Sequence, residues 1–172
     1  TAAQRPDGSD LIFGGSGTKT GRNDPGDATV NGTTGVITTT ATGHANDSDV
    51  IAGDNANIYR VLTSAGTYAQ FAYDQTSTYE TRSARILVRI FEWLDYTPGG
   101  LDFSAAAAND LGAADEIHGE AGDDFIYGQT GNDALFGDGQ DDDLTGGAGN
   151  DWISGGTGND GVLGDDGRIF TS

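Results

Sequence analysis

Gly119-Glu-Ala-Gly-Asp-Asp-Phe-Ile-Tyr127, Gly128-Gln-Thr-Gly-Asn-Asp-Ala-Leu-Phe136 and Gly146-Gly-Ala-Gly-Asn-Asp-Trp-Ile-Ser154 are one nine-residue unit written three times. Six such units run without a gap from Asp110 to Leu163, with Asp at every sixth position and Ile, Leu or Val at every eighth. A six-residue Gly-rich turn followed by a three-residue strand leaves no room for a helix, and so short a strand is not stable alone. Successive units must therefore stack, turn over turn, as a parallel β-helix or roll.

Position eight is the only regularly apolar column: Ile117, Ile126, Leu135, Leu144, Ile153 and Val162. Alternate residues of a strand face opposite sides, so these six are expected to fill a narrow core between two parallel sheets. Positions seven and nine, which range from Asp143 to Trp152, are expected to face outward. Residues 110–167 carry fifteen Asp and Glu and no Lys or Arg, a repulsion that would keep the bare chain extended. A cation has to relieve it. The donors on offer, Asp carboxylates and turn carbonyls, are hard oxygens in flexible number, which suits calcium better than magnesium; zinc prefers Cys and His. The chain has no Cys, and its two His lie far apart in sequence.

This array resembles the RTX (repeats-in-toxin, haemolysin-type calcium-binding) family, whose unit is G-G-x-G-x-D-x-U-x. The resemblance implies a calcium-binding parallel β-roll in which each ion lies between one turn and the turn two units later. It implies side-chain ligands from Asp115, Asp124, Asp133, Asp142, Asp151 and Asp160, each able to bridge two ions. Backbone carbonyls complete the sites. On one edge they are those of Leu111 and Ala113 with Gly128 and Thr130, then Gln129 and Gly131 with Gly146 and Ala148. On the other they are those of Glu120 and Gly122 with Gly137 and Gly139, then Asp138 and Gln140 with Gly155 and Thr157. The turn from Gly137 departs from the pattern, with Asp138 and Gln140 where Gly is usual, and is expected to be strained if those positions need positive φ. After Leu163 Ile169 stands where the Asp belongs, so the array ends or is capped there.

Upstream, Gly8-Ser-Asp-Leu-Ile-Phe13 with Gly14-Gly-Ser-Gly17, and Asp47-Ser-Asp-Val-Ile-Ala52 with Gly53, follow the same grammar, which makes Asp10 and Asp49 further candidate ligands. Units counted from residues 5, 14, 44, 53 and 110 make two interruptions, about 19–43 and 58–109, inserts within the second and fourth units. On that count Asp10, Asp49, Asp115, Asp133 and Asp151 form one column, and the other column starts at Asp124. The expected architecture is thus an all-β, parallel β-roll interrupted by two inserts. Irregular turns and a polar insert occupy 1–57, a small β-hairpin lobe 58–109, the regular roll 110–169 and a tail 170–172.

Within the second insert, Asn57 to Leu62 and Thr67 to Tyr73 read as a hairpin about Gly66, and Arg85 to Leu94, β-branched and aromatic, as a strand packed on it. In the polar insert Val36 to Thr40 reads as a strand and Asn23 to Asp27, with Asp24-Pro25, as a turn. His44 and His118 are expected at the surface, as are Phe125, Tyr127, Phe136 and Trp152, which would form a contact surface for neighbouring modules or a glycan or simply shield strand backbone.

A net charge of −19 argues against nucleic acid or an anionic membrane as a partner, and no membrane-spanning run or signal peptide is visible. No Ser/His/Asp, Cys/His or H-E-x-x-H arrangement appears, so the chain is not expected to be an enzyme. Without disulfides, calcium would supply the cross-links of an extracellular setting. By resemblance, RTX proteins leave the cell unfolded through type I secretion and fold on meeting external calcium. The expected function is a calcium-binding structural module of a large secreted or surface protein, an adhesin, surface layer or filament, of which this chain reads as a fragment. Neighbouring copies stacked end to end are the expected partners. The alternatives are the RTX portion of a secreted metalloprotease, lipase or peroxidase, and the repeat domain of a toxin.

Overall fold

The computed structural model describes residues 7–15, 29–30, 33–34, 37–38, 48–72, 85–99 and 110–170, and every regular element among them is a strand. The first eight are β1 (Leu11–Phe13), β2 (Thr29–Val30), β3 (Ile37–Thr38), β4 (Val50–Ala52), β5 (Ala56–Arg60), β6 (Gln70–Ala72), β7 (Arg85–Leu87) and β8 (Arg89–Trp93). Then follow β9 (Glu116–His118), β10 (Phe125–Gly131), β11 (Ala134–Phe136), β12 (Asp143–Gly149), β13 (Trp152–Ser154) and β14 (Gly161–Leu163).

The expected parallel β-roll is present. Consecutive repeats alternate between two parallel four-stranded sheets, β1-β9-β11-β13 and β4-β10-β12-β14. Registers align the eighth positions: Ile12, Ile117, Leu135 and Ile153 in the first sheet, and Ile51, Ile126, Leu144 and Val162 in the second. Ile117, Ile126, Leu135 and Leu144 are fully buried, and Ile51, Ile12 and Ile153 close the core around them. Each buried side chain contributes about 2 kcal/mol of transfer free energy. Val162, on β14 at one edge of the second sheet, is 46% exposed. Pairing of β10 with β12 continues through Gln129↔Gly147 to Gly131↔Gly149, so turn residues extend the ladder beyond the three-residue strand.

The upstream count needs correction. Strand β1 pairs directly with β9, and β4 with β10. Strands β1 and β4 thus lie in different sheets, as do β4 and β9, and among the described residues no further strand of either sheet stands between them in sequence. Asp49 accordingly joins the column of Asp124, not that of Asp10.

In the second insert β5 pairs antiparallel with β8, from Ala56↔Trp93 to Arg60↔Arg89, and β6 pairs with β7. The expected hairpin about Gly66 survives only at its tip, where Leu62 bridges Tyr68 and Thr63 N donates to Thr67 O. The segment Arg85 to Trp93 is strand except at Val88. There Val61 N donates to Val88 O and Val88 N to Ala69 O, knitting three segments together. This lobe rests on the second sheet through Phe91 and Trp93, whose rings lie 4.6 and 6.0 Å from that of Tyr127. In the polar insert β2 and β3 pair antiparallel, with Val30 opposite Ile37; Asp24-Pro25, Val36, Thr39, Thr40 and His44 lie outside the described residues.

Candidate metal centre

Each turn places its sixth-position Asp just before a strand, so the Asp side chains stack wherever the strands do. In one column Asp10 N donates to Asp115 Oδ1 at 2.8 Å, Asp115 N to Asp133 Oδ1 at 2.9 Å and Asp133 N to Asp151 Oδ1 at 2.9 Å. In the other, Asp49 N donates to Asp124 Oδ1 at 2.7 Å, Asp124 N to Asp142 Oδ1 at 2.9 Å and Asp142 N to Asp160 Oδ1 at 3.1 Å. The ladder consumes Oδ1 of Asp115, Asp133 and Asp151 in one column and of Asp124, Asp142 and Asp160 in the other. The second oxygen, Oδ2, of Asp115, Asp133, Asp142 and Asp151 is buried and accepts no hydrogen bond among the described residues. Four such orphans in so small a core are the opposite of ordinary protein practice.

These oxygens face carbonyls across the first glycine of each turn. A Cβ on Gly53 would lie 2.4 Å from Asp115 Oδ2 and 2.7 Å from Gly128 O; on Gly128, 2.5 Å from Asp133 Oδ2 and 2.6 Å from Gly146 O. On the other edge, a Cβ on Gly119 would meet Asp124 Oδ2 and Gly137 O, and one on Gly137 would meet Asp142 Oδ2 and Gly155 O. Glycine therefore leaves an oxygen-lined cradle at each rung, and its donor set of carboxylate and carbonyl fits calcium. Among the described residues no three acidic or His side chains converge as a cage. An ion here would draw on one Asp from each of two stacked turns plus backbone oxygen.

The other carbonyls proposed from the sequence lie in the same turns. A Cβ on the stacked glycine would press on Ala113 O from Gly131, Gln129 O from Gly147, Gly131 O from Gly149, Asp138 O from Gly156 and Gln140 O from Gly158. Gly139 O accepts Gly122 N, Thr157 O accepts Gln140 N, and Asp138 O accepts Thr157 N, so these three already serve the ladder. Thr130 O faces Gly112, and Leu111 N is tied to Asp95 O of the insert. Glu120 is buried at the second position of its turn, and Ala148 pairs with Thr130. Positive φ recurs at the second position, at 73° for Glu120, 76° for Gln129 and 72° for Asp138, and Gln140 at a fourth position has 82°. Non-glycine residues are strained there.

Burial and crowding show in the acidities. Burial, reinforced by Asp124 and Asp160, pushes the Asp142 carboxyl up to about 10. Asp133 is pushed up to about 6 by burial, with Asp151 and Asp115 adding to it. Asp115, Asp151 and Asp160 shift upward for the same first reason. Stripped of a cation, the column of Asp142 holds a proton on that carboxyl at neutral pH.

Two parts of the site escaped the sequence reading. Asp54, in the turn between β4 and β5, accepts Ala113 N at Oδ1 (3.1 Å) and Thr130 N at Oδ2 (2.7 Å), stitching that turn to the regular repeats. Burial and a hydrogen bond with Asp7 push it up to about 8. The second is a ladder at position five: Asp141 N donates to Asp123 Oδ1, Asn159 N to Asp141 Oδ1 and Asn150 N to Asn132 Oδ1. Its signal was available, since each unit from Gly119 onward has Asp or Asn there.

His118, expected at the surface, is 2% exposed. Its ring is stacked between Phe13 and Phe136, at 5.1 and 4.4 Å, and contacts Glu116 Oε1 and Asp138 Oδ2 at 3.2 Å each. Of the aromatics expected outside, Trp152 is 59% exposed, whereas Tyr127 lies under the inserted lobe.

No curated protein and no solved structure matches the chain. A family model does: the RTX calcium-binding nonapeptide repeat, four copies long, matches residues 111–144 and again 136–168. The regular half of the roll, residues 111–168, is therefore an array of RTX calcium-binding nonapeptide repeats.

Proposed function

We propose that this chain is a calcium-binding structural module of a large secreted or cell-surface protein, of adhesin, surface-layer or filament type, which folds when export brings it to calcium. The observation that carries the reading is the pair of Asp columns with buried, unpartnered Oδ2 atoms. A dication between rungs would neutralise both neighbours, and millimolar extracellular calcium fills even weak oxygen sites. The chain is read as non-enzymatic, because the repeats' carboxylates serve the backbone ladder and the ion. At either end of the roll the outer strands, β1 and β4 or β13 and β14, have a neighbour on one side only among the described residues. A second copy continuing the stack would cover them.

Circular dichroism and Trp fluorescence during a calcium titration, with magnesium as control, test the reading. Cooperative gain of β structure with calcium alone supports it. A chain already fully folded in excess chelator, or equally folded by magnesium, removes its basis.

A further inference from the structure

Between the inserted lobe, the outer face of the second sheet and the residues after β14 lies a cavity of about 340 Å³. That is within the range of small-ligand sites. Its wall includes Trp93, Tyr96, Tyr127, Gln129, Asp143 and Arg168. The rings of Trp93 and Tyr127 meet at 89° with centroids 6.0 Å apart, and Tyr96 stands 6.2 Å from Trp93. Among the described residues no hydrogen bond or ion pair engages the half-buried Asp143 carboxylate. Gln129 is 2% exposed, and neither atom of its side-chain amide has a hydrogen-bond partner among the described residues.

The wall therefore combines aromatic faces with an unspent acceptor, a guanidinium and an amide able both to donate and to accept. We propose that the cavity binds a neutral saccharide, one hexose-sized unit of a glycan. A sugar ring offers C–H faces to Trp93 and Tyr127. Its hydroxyls can donate to Asp143, accept from Arg168, and do both at Gln129. An organic cation would use the rings and the carboxylates of Asp143 and Asp166, but would meet Arg168 with like charge and leave the Gln129 Nε2 without an acceptor. An alkyl chain would leave Asp143 and Gln129 without partners, which is costly in a desolvated site. The calcium columns take no part in this recognition beyond holding the second sheet in place.

The test titrates glucose, galactose, mannose and N-acetylglucosamine, with choline as comparator, into the full chain in millimolar calcium, read by Trp fluorescence and calorimetry. At least one sugar should bind saturably at one site. Asp143→Asn should weaken it ten-fold or more. Thr145→Arg, which fills the cavity from an outward position of β12 clear of core and Asp columns, should abolish binding with the circular dichroism in calcium unchanged. Trp152→Ala, on the other sheet, should bind as the parent does. No saturable response from any sugar by a folded chain, binding that survives Thr145→Arg, or binding of choline alone overturns the proposal. A chain folded without calcium would sink the calcium reading while leaving this test intact.

Discussion

Replacing Asp142 by Asn should move metal-free and calcium-loaded stability in opposite directions. Asp142 is fully buried and sits between Asp124 and Asp160 in its column. Neighbouring strands lie about 4.8 Å apart, so two ionised carboxylates on successive rungs repel by about 3.5 kcal/mol at an effective dielectric of about 20. Two neighbours make about 7 kcal/mol, comparable to the whole stability of a domain. Asp142 avoids this by holding a proton, up to about 10. Keeping that proton at pH 7 costs about 1.4 kcal/mol for each unit above the ordinary carboxylate value, about 4 kcal/mol in all. Asn pays neither penalty, and its Oδ1 can still accept the Asp124 N–H. In excess chelator the variant should therefore show more β structure than the parent at pH 7. In calcium it offers a neutral amide in place of a charge, and the midpoint of the calcium titration should rise ten-fold or more, about 1.4 kcal/mol or above. Glu92→Gln, an exposed carboxylate of the insert, should change neither reading. An unchanged calcium midpoint for Asp142→Asn, or no gain of structure in chelator, would refute the reasoning.

In chelator, β structure should increase as pH falls from 8 to 5. The folded carboxyls of Asp142, Asp54 and Asp133 are raised to about 10, 8 and 6, so their protonation stabilises the fold below the unfolded value near 4 and is lost as pH rises through the folded ones. With calcium present the sign reverses, because protons compete for the ligands, and the calcium midpoint should rise as pH falls. Leu135→Ala, at the centre of the core, should lose about 2–5 kcal/mol in a thermal melt, and Val162→Ala at the exposed end less than about 1 kcal/mol. Gly149→Ala should prevent the roll from forming, since its Cβ would lie 1.5 Å from Gly131 O; a normal calcium titration would contradict the turn geometry. Gln129→Gly relieves a φ of 76° and removes an unpartnered amide. It should raise the melting temperature by the equivalent of about 1–3 kcal/mol while weakening any saccharide bound in the cavity.

What repeats with the backbone was legible in the sequence. The eighth-position column became the core and the sixth-position Asp became the ladders, because strand pairing puts equal positions side by side. Even the strain at Asp138 and Gln140 could be read from two missing glycines. The placement of Asp49 was not legible. Counting nine-residue units across an insert presumes that the insert hides a strand, and nothing local says whether a polar stretch crosses the roll once or twice. The partner of β5 was misread for a related reason: a Gly-containing turn favours the nearest strand, yet Ala56 to Arg60 found a longer antiparallel match in Arg89 to Trp93. His118 looked like a surface residue because its cover comes from Phe13, over a hundred positions away, as well as from Phe136.

Strands β1, β4 and β9 fall in alternate sheets although long stretches of sequence separate them, so the roll is indifferent to the number of residues between its strands. From Phe13 to Val50 the chain travels roughly six times as far along its sequence as in a regular turn. By loop-closure entropy that detour costs only about 1.6 kcal/mol, less than the burial of one core isoleucine such as Ile51 regains. Parity is what must be conserved: a segment of any length is tolerated if it leaves one sheet and arrives at the other. One that returned to its starting sheet would shift every later Asp to the opposite column and turn none of the apolar residues outward. Such a scaffold can acquire new lobes at its edges by insertion while the metal ladder beneath keeps its phase.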